Sequence, residues 1–539
     1  MKAVLFLALS FLAPSFGGPA TYLRAQDDSA QQFARYDLSI KVLPDARRIQ
    51  VTGTVSLPPA NQERDKIEFL LWSRMEKLTA QLLEPKIAAP AARLDNDGSD
   101  GDRKWTLRLV RPVPAGQFAL VQFSYVSAVE PSPQFNISPE GSFAGGGGEL
   151  WYPQTSFSNR ETGTIRFLVP TGETVISNGR LLGTAEQRAR GEFIFQIAQP
   201  SKFGFASGKY TVTRRAGKTP FALYLLRPSK RAGQILDGCA SALNFLTRLF
   251  GTFPYREFSL VEVDFRSKVL GTSEFGFILA DASVFDKDFD LSYWAHEIGH
   301  QWWGDLIRTK SGTTGRMMLS EGVAQFGALL ATEKLEGHQA AERFRRTGYQ
   351  PSGQGQSAAT YFRLATTRKD FPLTTYEPKN QNDTLTMHTL ANSKGFILLD
   401  MLSRRIGRAK FAAILRRFVK EKANQITSWQ EFQRAIEAGA GQDIRWFFEQ
   451  WFERTGAPDY QLTWEQSGKV VRVVVRQPAP YYRANLEVEL SGTGRRLLKT
   501  VEIVGEQISF EWIVPFKVDS VVLDPHYKVL RWMPEFRPQ

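Results

Sequence analysis

The stretch Trp294-Ala-His-Glu-Ile-Gly-His-Gln-Trp-Trp-Gly-Asp305 decides how the rest of the chain is interpreted. It contains His296, Glu297 and His300, which form the pattern His-Glu-x-x-His. Residues four apart lie on one face of a helix, about one turn from each other, so both imidazoles can reach a single metal ion. Glu297 projects close to the same face, where a carboxylate can take a proton from water on the metal. The stretch therefore predicts a helix that carries a metal site.

A third metal ligand is predicted in a second helical segment. Ser320-Glu321-Gly322 opens an apolar run with helical spacing, so Glu321 can face the histidine pair. A chance match to a short pattern is the alternative, but two of only five histidines in the chain stand at this spacing. Two imidazoles, one carboxylate and an open fourth position are typical of catalytic zinc. We therefore expect one zinc ion per chain and hydrolysis of an amide or ester bond.

Length and composition indicate a globular protein of several domains. The chain has 539 residues, more than one hydrophobic core usually serves, which predicts about two to four domains. The formal net charge is +13, but the basic residues are scattered and no nucleic-acid-binding motif is present. We therefore expect no nucleic acid as a partner. Cys239 is the only cysteine, which excludes an intramolecular disulfide and predicts a small buried residue.

Residues 1–26 have the pattern of an export signal. Lys2 supplies the positive charge, residues 3–13 form an apolar run that Pro14 ends, and small residues follow. The run is too short for a permanent transmembrane helix, and no later stretch is long enough. A short uncleaved membrane anchor is the alternative. We expect an exported protein, periplasmic or extracellular, without a stable membrane span.

Three blocks of secondary-structure pattern follow the export segment. Alternating apolar residues with few helical patterns predict an all-β N-terminal domain over residues 27–215. Helical spacing dominates residues 216–456, and strand alternation returns over residues 457–539, as in a small β-sandwich. The predicted fold class is therefore multidomain α+β.

Two segments are predicted as loops whose roles stay open. Residues 145–148 are four glycines that run into an aromatic strand, and they form either a surface loop or a loop that reaches toward the active site. Residues 349–378 are long, polar and aperiodic, which is typical of a functional loop or of a poorly ordered one.

The motifs together resemble a known family. His296-Glu-Ile-Gly-His-Gln-Trp-Trp-Gly-Asp305 followed by Leu319-Ser-Glu-Gly-Val-Ala324 resembles the gluzincin zinc aminopeptidases of peptidase family M1, of the alanyl-aminopeptidase type. Weaker resemblances lie near both ends of the middle block, at Phe250-Gly-Thr-Phe-Pro-Tyr255 and Trp446-Phe-Phe-Glu-Gln-Trp-Phe452. The resemblance implies peptide substrates and a thermolysin-like, mostly α catalytic domain. It also implies functional roles for four side chains: His296, His300 and Glu321 as zinc ligands and Glu297 as general base.

The resemblance extends to the exopeptidase motif of the family, Gly-x-Met-Glu-Asn. Gly271-Thr-Ser-Glu-Phe275 stands in its place, with Met and Asn replaced. The resemblance implies that Gly271 and Glu274 bind substrate, and that Glu274 holds the free α-amino group through a charge-assisted hydrogen bond. A carboxylate on a surface turn is the alternative for Glu274.

Two departures from the family surround the third ligand. The segment between His300 and Glu321 is two residues longer than the family usually has, and the extra length fits within residues 311–318, which we expect to be a loop. Arg316 stands where the family usually has an acidic residue. Carboxylates beside a metal site orient the ligating histidines, and Asp305 is a candidate substitute for the missing one.

A third departure concerns the transition-state tyrosine of the family. Its Tyr-x-Lys-Gly step is Asn392-Ser-Lys-Gly395 in this chain. The family tyrosine donates to an oxyanion, and losing one such donor typically lowers a rate about 100- to 1000-fold. Asn392 can donate over a shorter reach. His388 lies one helical turn earlier on the same face and is a second candidate, with an ordinary core or surface histidine as the alternative.

These observations support hypotheses from two classes. The leading hypothesis is an exported zinc aminopeptidase that hydrolyses the N-terminal peptide bond of peptides. The alternative is a zinc-containing peptide-binding protein of the same fold with impaired turnover, because Asn392, Arg316 and the exopeptidase motif all depart from the family. An endopeptidase is a third option, which Glu274 disfavours.

Overall fold

The computed structural model of the chain covers most of the sequence after the export segment. It describes residues 33–71, 75–86, 93–96, 103–132, 134–146, 149–156, 159–265, 270–310, 313–348, 357–367, 369–533 and 536. The predicted export segment, residues 1–26, lies outside the described residues, as does part of the predicted loop at 349–378. No helix among the described residues has both the length and the hydropathy needed to cross a bilayer.

The N-terminal part is built on a seven-stranded sheet. Its strands bury every second side chain, as in Ala34–Leu43, because successive side chains of a strand point to opposite faces. Ala34–Leu43 pairs in parallel with Glu161–Leu168, and the other pairings are antiparallel. In spatial order the strands are Arg180–Leu182, Glu192–Ser201, Glu161–Leu168, Ala34–Leu43, Arg48–Leu57, Ala119–Ala128 and Met75–Glu84.

Two smaller sheets complete this part. One contains Arg64–Leu70, Lys104–Val113 and Arg93–Asn96, and the other contains Thr174–Ser177, Phe205–Gly208, Ser142–Ala144 and Phe135–Asn136. The sequence predicted an all-β domain here, and one short helix, Ala185–Ala189, interrupts it.

A buried ion pair stabilises the end of this β part that faces the middle block. Nζ of Lys202 lies 2.9 Å from a carboxylate oxygen of Glu161, and both side chains are essentially inaccessible to solvent. The hydroxyl of Tyr152 donates to the other oxygen of Glu161 at 3.1 Å. Because buried charges are stable only when they are paired and hydrogen-bonded, this cluster fixes the backbone around Lys202.

The middle block contains a five-stranded sheet. In spatial order its strands are Thr211–Arg215, Phe221–Leu225, Phe258–Val263, Phe277–Asp281 and Gly271–Glu274. Thr211–Arg215, which we placed in the N-terminal domain, pairs with Phe221–Leu225 and so belongs to this sheet. Gly271–Glu274 is the antiparallel edge strand, whereas the sequence left open a surface turn at this position.

Helices cover this sheet and form most of the core. They are Ala232–Phe250, Ala282–Asp286, Leu291–Gly299, Val323–Leu335, His338–Thr347, Ala358–Thr366, Gln381–Leu390, Phe396–Ile406, Arg408–Lys422, Trp429–Ala440 and Arg445–Trp451. The helix predicted at the histidine stretch spans Leu291–Gly299, and the predicted loop at 349–378 contains Ala358–Thr366. Trp429–Ala440 ends at Gly441, whose φ of +68° is typical of a residue that terminates a helix.

Two π-helical turns, Met318–Gly322 and Ala391–Gly395, each precede an α-helix. Both turns end in a glycine that packs against Met318. A Cβ atom on Gly322 would lie 2.7 Å from Cε of Met318, and one on Gly395 would lie 2.4 Å from its Sδ. The glycines therefore allow the two turns to approach each other closely.

A buried charge cluster connects the helices behind these turns. Asp400 is inaccessible to solvent and accepts from Nε of Arg345 at 2.9 Å and from Nε of Arg404 at 3.2 Å. Arg408 also contacts its carboxylate. Burial would raise the pKa of Asp400, but the three guanidinium charges hold that pKa below its ordinary value.

The C-terminal part consists of two three-stranded antiparallel sheets. One contains Gln461–Ser467, Val470–Arg476 and Gln507–Ile513, and the other contains Arg495–Ile503, Ala484–Gly492 and Ser520–Leu523. Their buried faces, with Val473 and Val488 among them, join the apolar core of the middle block. The strands predicted over residues 457–539 are present, in two sheets.

Candidate metal centre and active site

The helix Leu291–Gly299 presents the histidine pair. Its start is capped by Asp290, whose carboxylate accepts from the backbone N–H of Tyr293 at 3.0 Å. His296 lies in the last turn and His300 caps the end, so their Nε2 atoms come within 3.1 Å of each other. A Cβ on Gly299 would lie 3.1 Å from Cα of Ala324, so this glycine brings the second ligand-bearing segment close.

Glu321, in the first π turn, completes a metal-binding triad. Its Oε2 lies 3.4 Å from Nε2 of His296 and 3.6 Å from Nε2 of His300. These three atoms form the group of potential ligands found in the described part of the chain. A tetrahedral zinc ion with bonds of about 2.0–2.1 Å separates its ligand atoms by roughly 3.3–3.5 Å. The residues present therefore fit zinc in both chemistry and spacing.

Only one of the two histidines has an orienting partner. Nδ1 of His300 lies 3.0 Å from the carbonyl oxygen of Trp303, which leaves Nε2 free to bind a metal. Nδ1 of His296 is buried and has no hydrogen-bond partner among the described residues. Asp305, which we considered as a substitute for the missing acid, instead accepts from Ser273 at 2.9 Å.

The triad carries a proton when no metal neutralises it. Burial alone would lower the pKa of His300, but the adjacent carboxylate of Glu321 raises it to about 10. Burial raises and the histidines lower the pKa of Glu321, with a net shift well below its ordinary value. Metal binding must therefore displace a proton from His300, and metal affinity falls as the pH falls.

Glu297 faces the cavity beside two groups from different elements. A Cβ on Gly271, in the edge strand, would lie 3.5 Å from Cδ of Glu297 and 2.3 Å from the hydroxyl oxygen of Tyr293. That hydroxyl is buried and has no hydrogen-bond partner among the described residues. Tyr293 precedes Glu297 by one helical turn. Its position in the site could not be predicted from the sequence, because a single aromatic residue on a helix usually packs in the core.

Asn392, in the second π turn, and His388, in the helix Gln381–Leu390 before it, lie against the same ligand. Nδ2 of Asn392 donates to Oε2 of Glu321 at 2.9 Å, and Nε2 of His388 lies 3.3 Å from that oxygen. Asn392 is almost fully buried, whereas the side chain of His388 is 41% exposed and lines the cavity. Asn392 thus supports a ligand, and His388 retains access to bound molecules.

Glu274 lies at the junction between the edge strand and the N-terminal β part. Its carboxylate is 2% exposed, and both oxygens accept from the backbone N–H of Gly146, at 3.1 and 3.2 Å. Gly146, in the glycine run predicted as either a surface loop or a loop that reaches the active site, therefore contacts a predicted site residue. Burial, reinforced by the charge of Asp305, raises the pKa of Glu274 to about 8.

Gln134 is a second polar group at this end that the sequence analysis missed. Its Oε1 and Oε1 of Glu274 both approach Gly145, at 3.4 and 3.1 Å from the position of a Cβ on that glycine. Gln134 also lines the metal cavity. Its position depends on contacts between distant parts of the chain, so no local sequence signal marks it.

A hydrogen-bond network fixes the edge strand relative to the metal helix. Nε2 of Gln301, just beyond the second histidine, donates to the hydroxyl of Ser273 at 2.6 Å and to the carbonyl oxygen of Glu274 at 2.8 Å. Its Oε1 accepts from the backbone N–H of Gly276 at 2.9 Å. The metal triad and Glu274 are thus held at a fixed separation.

One cavity of about 870 Å³ joins these groups. The metal triad and Glu297 lie in its wall, Gln134 and Gly271 lie toward the Glu274 end, and Arg316 lies near Glu321. The predicted site residues other than Glu274 are therefore brought together around one space. Glu274 is buried behind this wall, whose lining includes its neighbour Ser273 and Gln134.

Comparisons with known proteins agree with this geometry. The sequence profile described as the Peptidase family M1 domain matches residues 272–451. A substituted form of an M1 zinc metallopeptidase from Deinococcus radiodurans is 18% identical, with a TM-score of 0.61 over 80% of this chain and 96% of that one. Legionella pneumophila aminopeptidase A in complex with aspartic acid is 14% identical, with a TM-score of 0.66 over 92% of this chain and 59% of that one. A search of curated protein sequences gives no match.

The fold and the ligand set define a zinc metallopeptidase of the gluzincin type. The middle block carries the domain of peptidase family M1, at residues 272–451. The family and the α+β fold class that the sequence predicted are thereby confirmed.

Proposed function

We propose that this protein is an exported zinc aminopeptidase that removes the N-terminal residue of peptides, with one zinc ion per chain. The observation that carries the proposal is the environment of Glu274. Its buried carboxylate has a single hydrogen-bond donor among the described residues, the N–H of Gly146. A buried carboxylate with spare acceptor capacity suits a substrate ammonium group, which would pair with it.

The arrangement of side chains suggests how a peptide would be oriented. The ammonium group binds between Glu274 and Gln134, and the first peptide bond then lies at the histidine pair. A peptide extended beyond its N-terminus meets the closed end formed by Gly145, Gly146 and Glu274. This end would favour cleavage after the first residue over cleavage within a chain.

The chain supplies the groups needed for hydrolysis. A zinc ion held by His296, His300 and Glu321 would supply an acidified water and polarise the scissile carbonyl. Glu297 accepts the proton of the attacking water and returns it to the leaving amine. His388 is the donor with access to the developing oxyanion, because its side chain is 41% exposed and lines the cavity, whereas Asn392 is almost fully buried.

Aminoacyl-coumarin substrates test the proposal directly. The zinc-loaded protein should release the fluorophore from substrates with a free amine, and Glu297→Gln should abolish release while zinc content stays at one per chain. N-acetylated versions of the same substrates should be poor, because they carry no ammonium group for Glu274. Absence of zinc-dependent turnover across a panel of side chains would contradict the proposal.

A second candidate function rests on Asn392. Its amide stabilises a ligand instead of facing the cavity, which favours a zinc-containing peptide-binding protein with impaired turnover. This alternative predicts that peptides bind without being cleaved, and that Asn392→Tyr raises the rate by about 100-fold or more. Fast cleavage by the unsubstituted protein would exclude it.

Export is the remaining part of the proposal and depends on residues 1–26. Expression of the full chain in a Gram-negative host should give periplasmic protein whose N-terminus, measured by mass spectrometry, begins between residues 21 and 27. Retention of the whole protein in the cytoplasm would contradict export without affecting the proposed chemistry.

A further inference from the structure

Arg316 is a cation in the cavity wall whose role the proposed reaction does not explain. It is half-buried, precedes the first π turn and lies in the wall of the cavity that contains Glu297 and Glu321. Within the described part of the chain, its guanidinium makes no ion pair within 4.0 Å and no hydrogen bond. Five N–H donors are therefore available at a partly desolvated position.

The acidic residues of the cavity other than the proposed general base Glu297 have partners of their own. Asp288 lies 2.8 Å from Arg231, Asp290 caps the metal helix, and Asp305 accepts from Ser273. Glu321 is the carboxylate whose charge acts on Arg316, but it also binds Asn392 and serves as a metal ligand. A zinc ion held by Glu321 would offset the charge of that carboxylate, and Glu321 is the one carboxylate found to act on Arg316 among the described residues.

The position of Arg316 relative to Glu274 indicates which part of a substrate it meets. Arg316 precedes the ligand Glu321 closely in the chain and lines the metal cavity with it, whereas Glu274 lies in the edge strand and accepts from Gly146. The charge of Glu321 acts on Arg316, whereas those of Asp305 and Arg160 act on Glu274. Arg316 therefore lies at the metal, away from the end that would hold the ammonium group. A peptide whose first carbonyl lies at the metal directs its second residue, the leaving group, toward the free part of the cavity.

We propose that Arg316 binds a carboxylate on the second residue of the substrate, so that dipeptides and peptides with Asp or Glu at position two are preferred. The proposal rests on the proposed aminopeptidase function for the orientation of the peptide. The carboxylate is either the free C-terminus of a dipeptide or an acidic side chain, since both offer two oxygens to the planar guanidinium.

The contribution of this contact to catalysis is expected to be large. A charge-assisted, bidentate hydrogen bond in a partly desolvated site corresponds to roughly 10- to 100-fold in kcat/KM. Arginine at this position also disfavours substrates with a basic second residue, because two like charges would then share the cavity wall. The contact with Arg316 is therefore measured as a preference in kcat/KM for substrates with a carboxylate on the second residue.

Matched substrates separate the carboxylate from the rest of the peptide. The dipeptide Leu-Ala is compared with its amide, and the tripeptide Leu-Asp-Ala with Leu-Asn-Ala, all with zinc-loaded full-length protein. The preference of the unsubstituted protein for each acidic partner is expected to be about 10-fold or more. Arg316→Gln should reduce the two ratios toward one, and Arg316→Lys should retain part of each. Lys287→Gln is the matched control, because it removes an exposed cation from the same cavity and should leave the ratios unchanged.

Each outcome has a defined meaning. Equal ratios in the unsubstituted protein and in Arg316→Gln would overturn the proposal, even where both cleave well. Preference for Leu-Ala without preference for Leu-Asp-Ala identifies the C-terminal carboxylate as the ligand, and the reverse identifies the side chain.

Calorimetry separates this proposal from the aminopeptidase function itself. Glu297→Gln, loaded with zinc, should bind Leu-Ala more tightly than its amide, and adding Arg316→Gln should remove the difference. If these affinities behave as expected while no substrate is cleaved, the carboxylate site stands and the aminopeptidase function fails. If cleavage occurs but the affinities for acid and amide are equal, the carboxylate site fails alone.

Discussion

At the scale of single residues, the absence of a side chain at Gly271 leaves the space that the hydroxyl of Tyr293 occupies. The tyrosine hydroxyl occupies the space where a side chain on residue 271 would begin, 2.3 Å away, and Glu297 lies just beyond. We expect Gly271→Ala to displace the hydroxyl or the edge strand and to lower kcat/KM about 10- to 100-fold, since small displacements of catalytic groups are costly.

The second substitution that tests this contact is Tyr293→Phe. It removes only the hydroxyl oxygen, and the nearest ring carbon would lie an acceptable 3.4 Å from the new Cβ. The double variant Gly271→Ala with Tyr293→Phe should recover much of the activity that Gly271→Ala loses. If it loses more than the single variant does, residue 271 acts through another contact. Steady-state kinetics with an aminoacyl-coumarin gives the comparison.

Glu274 should give substrate binding a characteristic pH dependence. Burial raises the pKa of its carboxyl to about 8, so the free protein holds it neutral below that pH. Pairing with a substrate ammonium requires the ionised form, so a proton must leave on binding. We expect KM for amine substrates to rise as the pH falls below about 8, by up to about tenfold per unit.

The same measurement on Glu274→Gln provides the control. This variant lacks the titrating group, so its KM should be higher near neutral pH and nearly constant between about pH 6 and pH 7.5. A KM that is flat over this range in the unsubstituted protein would show that Glu274 already carries its charge. The range must stay below the pKa of the substrate amine, about 7.7–8.0 for a free α-amino group.

At the scale of elements, the two π turns determine how the third ligand is supported. Gly322 and Gly395 let the turns pack on Met318, which brings Asn392 to Glu321. A Cβ added at Gly395 would lie 2.4 Å from the sulfur of Met318. Gly395→Ala should therefore separate the turns and weaken zinc binding, by about 10- to 100-fold, as other losses of support around metal ligands do.

Gly233→Ala is the matched control for that prediction. Gly233 lies in the helix Ala232–Phe250, and a Cβ there would meet nothing within 4 Å. Its replacement by alanine should leave zinc affinity unchanged and slightly stabilise the helix. Competition titration with a zinc chelator measures both variants. Equal affinities would show that the turns tolerate the added methyl group.

Local spacing of apolar residues predicts a helix or strand well where one of its faces is buried. It predicts an element less well where contacts with distant parts of the chain determine its conformation. The helix with His296 and His300 and the alternating strands of both β parts follow from periodicity in the sequence. The strand Gly271–Glu274 could not be predicted from periodicity, because four residues are too few for a strand pattern. Its conformation depends on pairing with Phe277–Asp281, which follows it in the chain. The π turns were also missed, since their extra residue changes the number of residues per turn and not the composition.

At the scale of the whole molecule, Asp400 connects the helices behind the site. It is buried among Arg345, Arg404 and Arg408, whose charges hold its pKa below the ordinary value. Removing one partner from such a cluster leaves charges buried without compensation. Asp400→Asn should lower the free energy of unfolding by about 3–5 kcal/mol at neutral pH, measured by urea denaturation.

The pH dependence of this contribution follows from the lowered pKa. A carboxyl with a depressed pKa stabilises the fold above its pKa in the unfolded chain, near 3.9, and this stabilisation is lost as the pH falls further. The difference between the unsubstituted protein and Asp400→Asn should therefore shrink below about pH 4. Asp37→Asn, at an exposed strand position, is the control and should change stability by less than about 0.5 kcal/mol.

The site as a whole combines residues that the sequence marks with residues that it does not. Motif spacing predicted the metal triad, and the family resemblance predicted the role of Glu274. The glycine run that includes Gly146 left open a loop that reaches the site. Gln134 and Tyr293 carry no local signal, because their positions depend on which distant segments meet. Asp305 was predicted as a possible partner of the ligating histidines because it is close to them in sequence. Its side chain instead accepts a hydrogen bond from Ser273, a contact that depends on the fold.

Through the hydrogen bond from Gly146 to Glu274, the N-terminal β part contributes directly to the candidate site. This bond crosses from the glycine loop of that part to the edge strand of the middle block, so both parts contribute to the surroundings of Glu274. In the proposed function, this junction sets the distance between the metal and the ammonium group of the substrate. On that proposal, lengthening or shortening the glycine loop would change the distance, so the number of residues removed in one cleavage would depend on the β part.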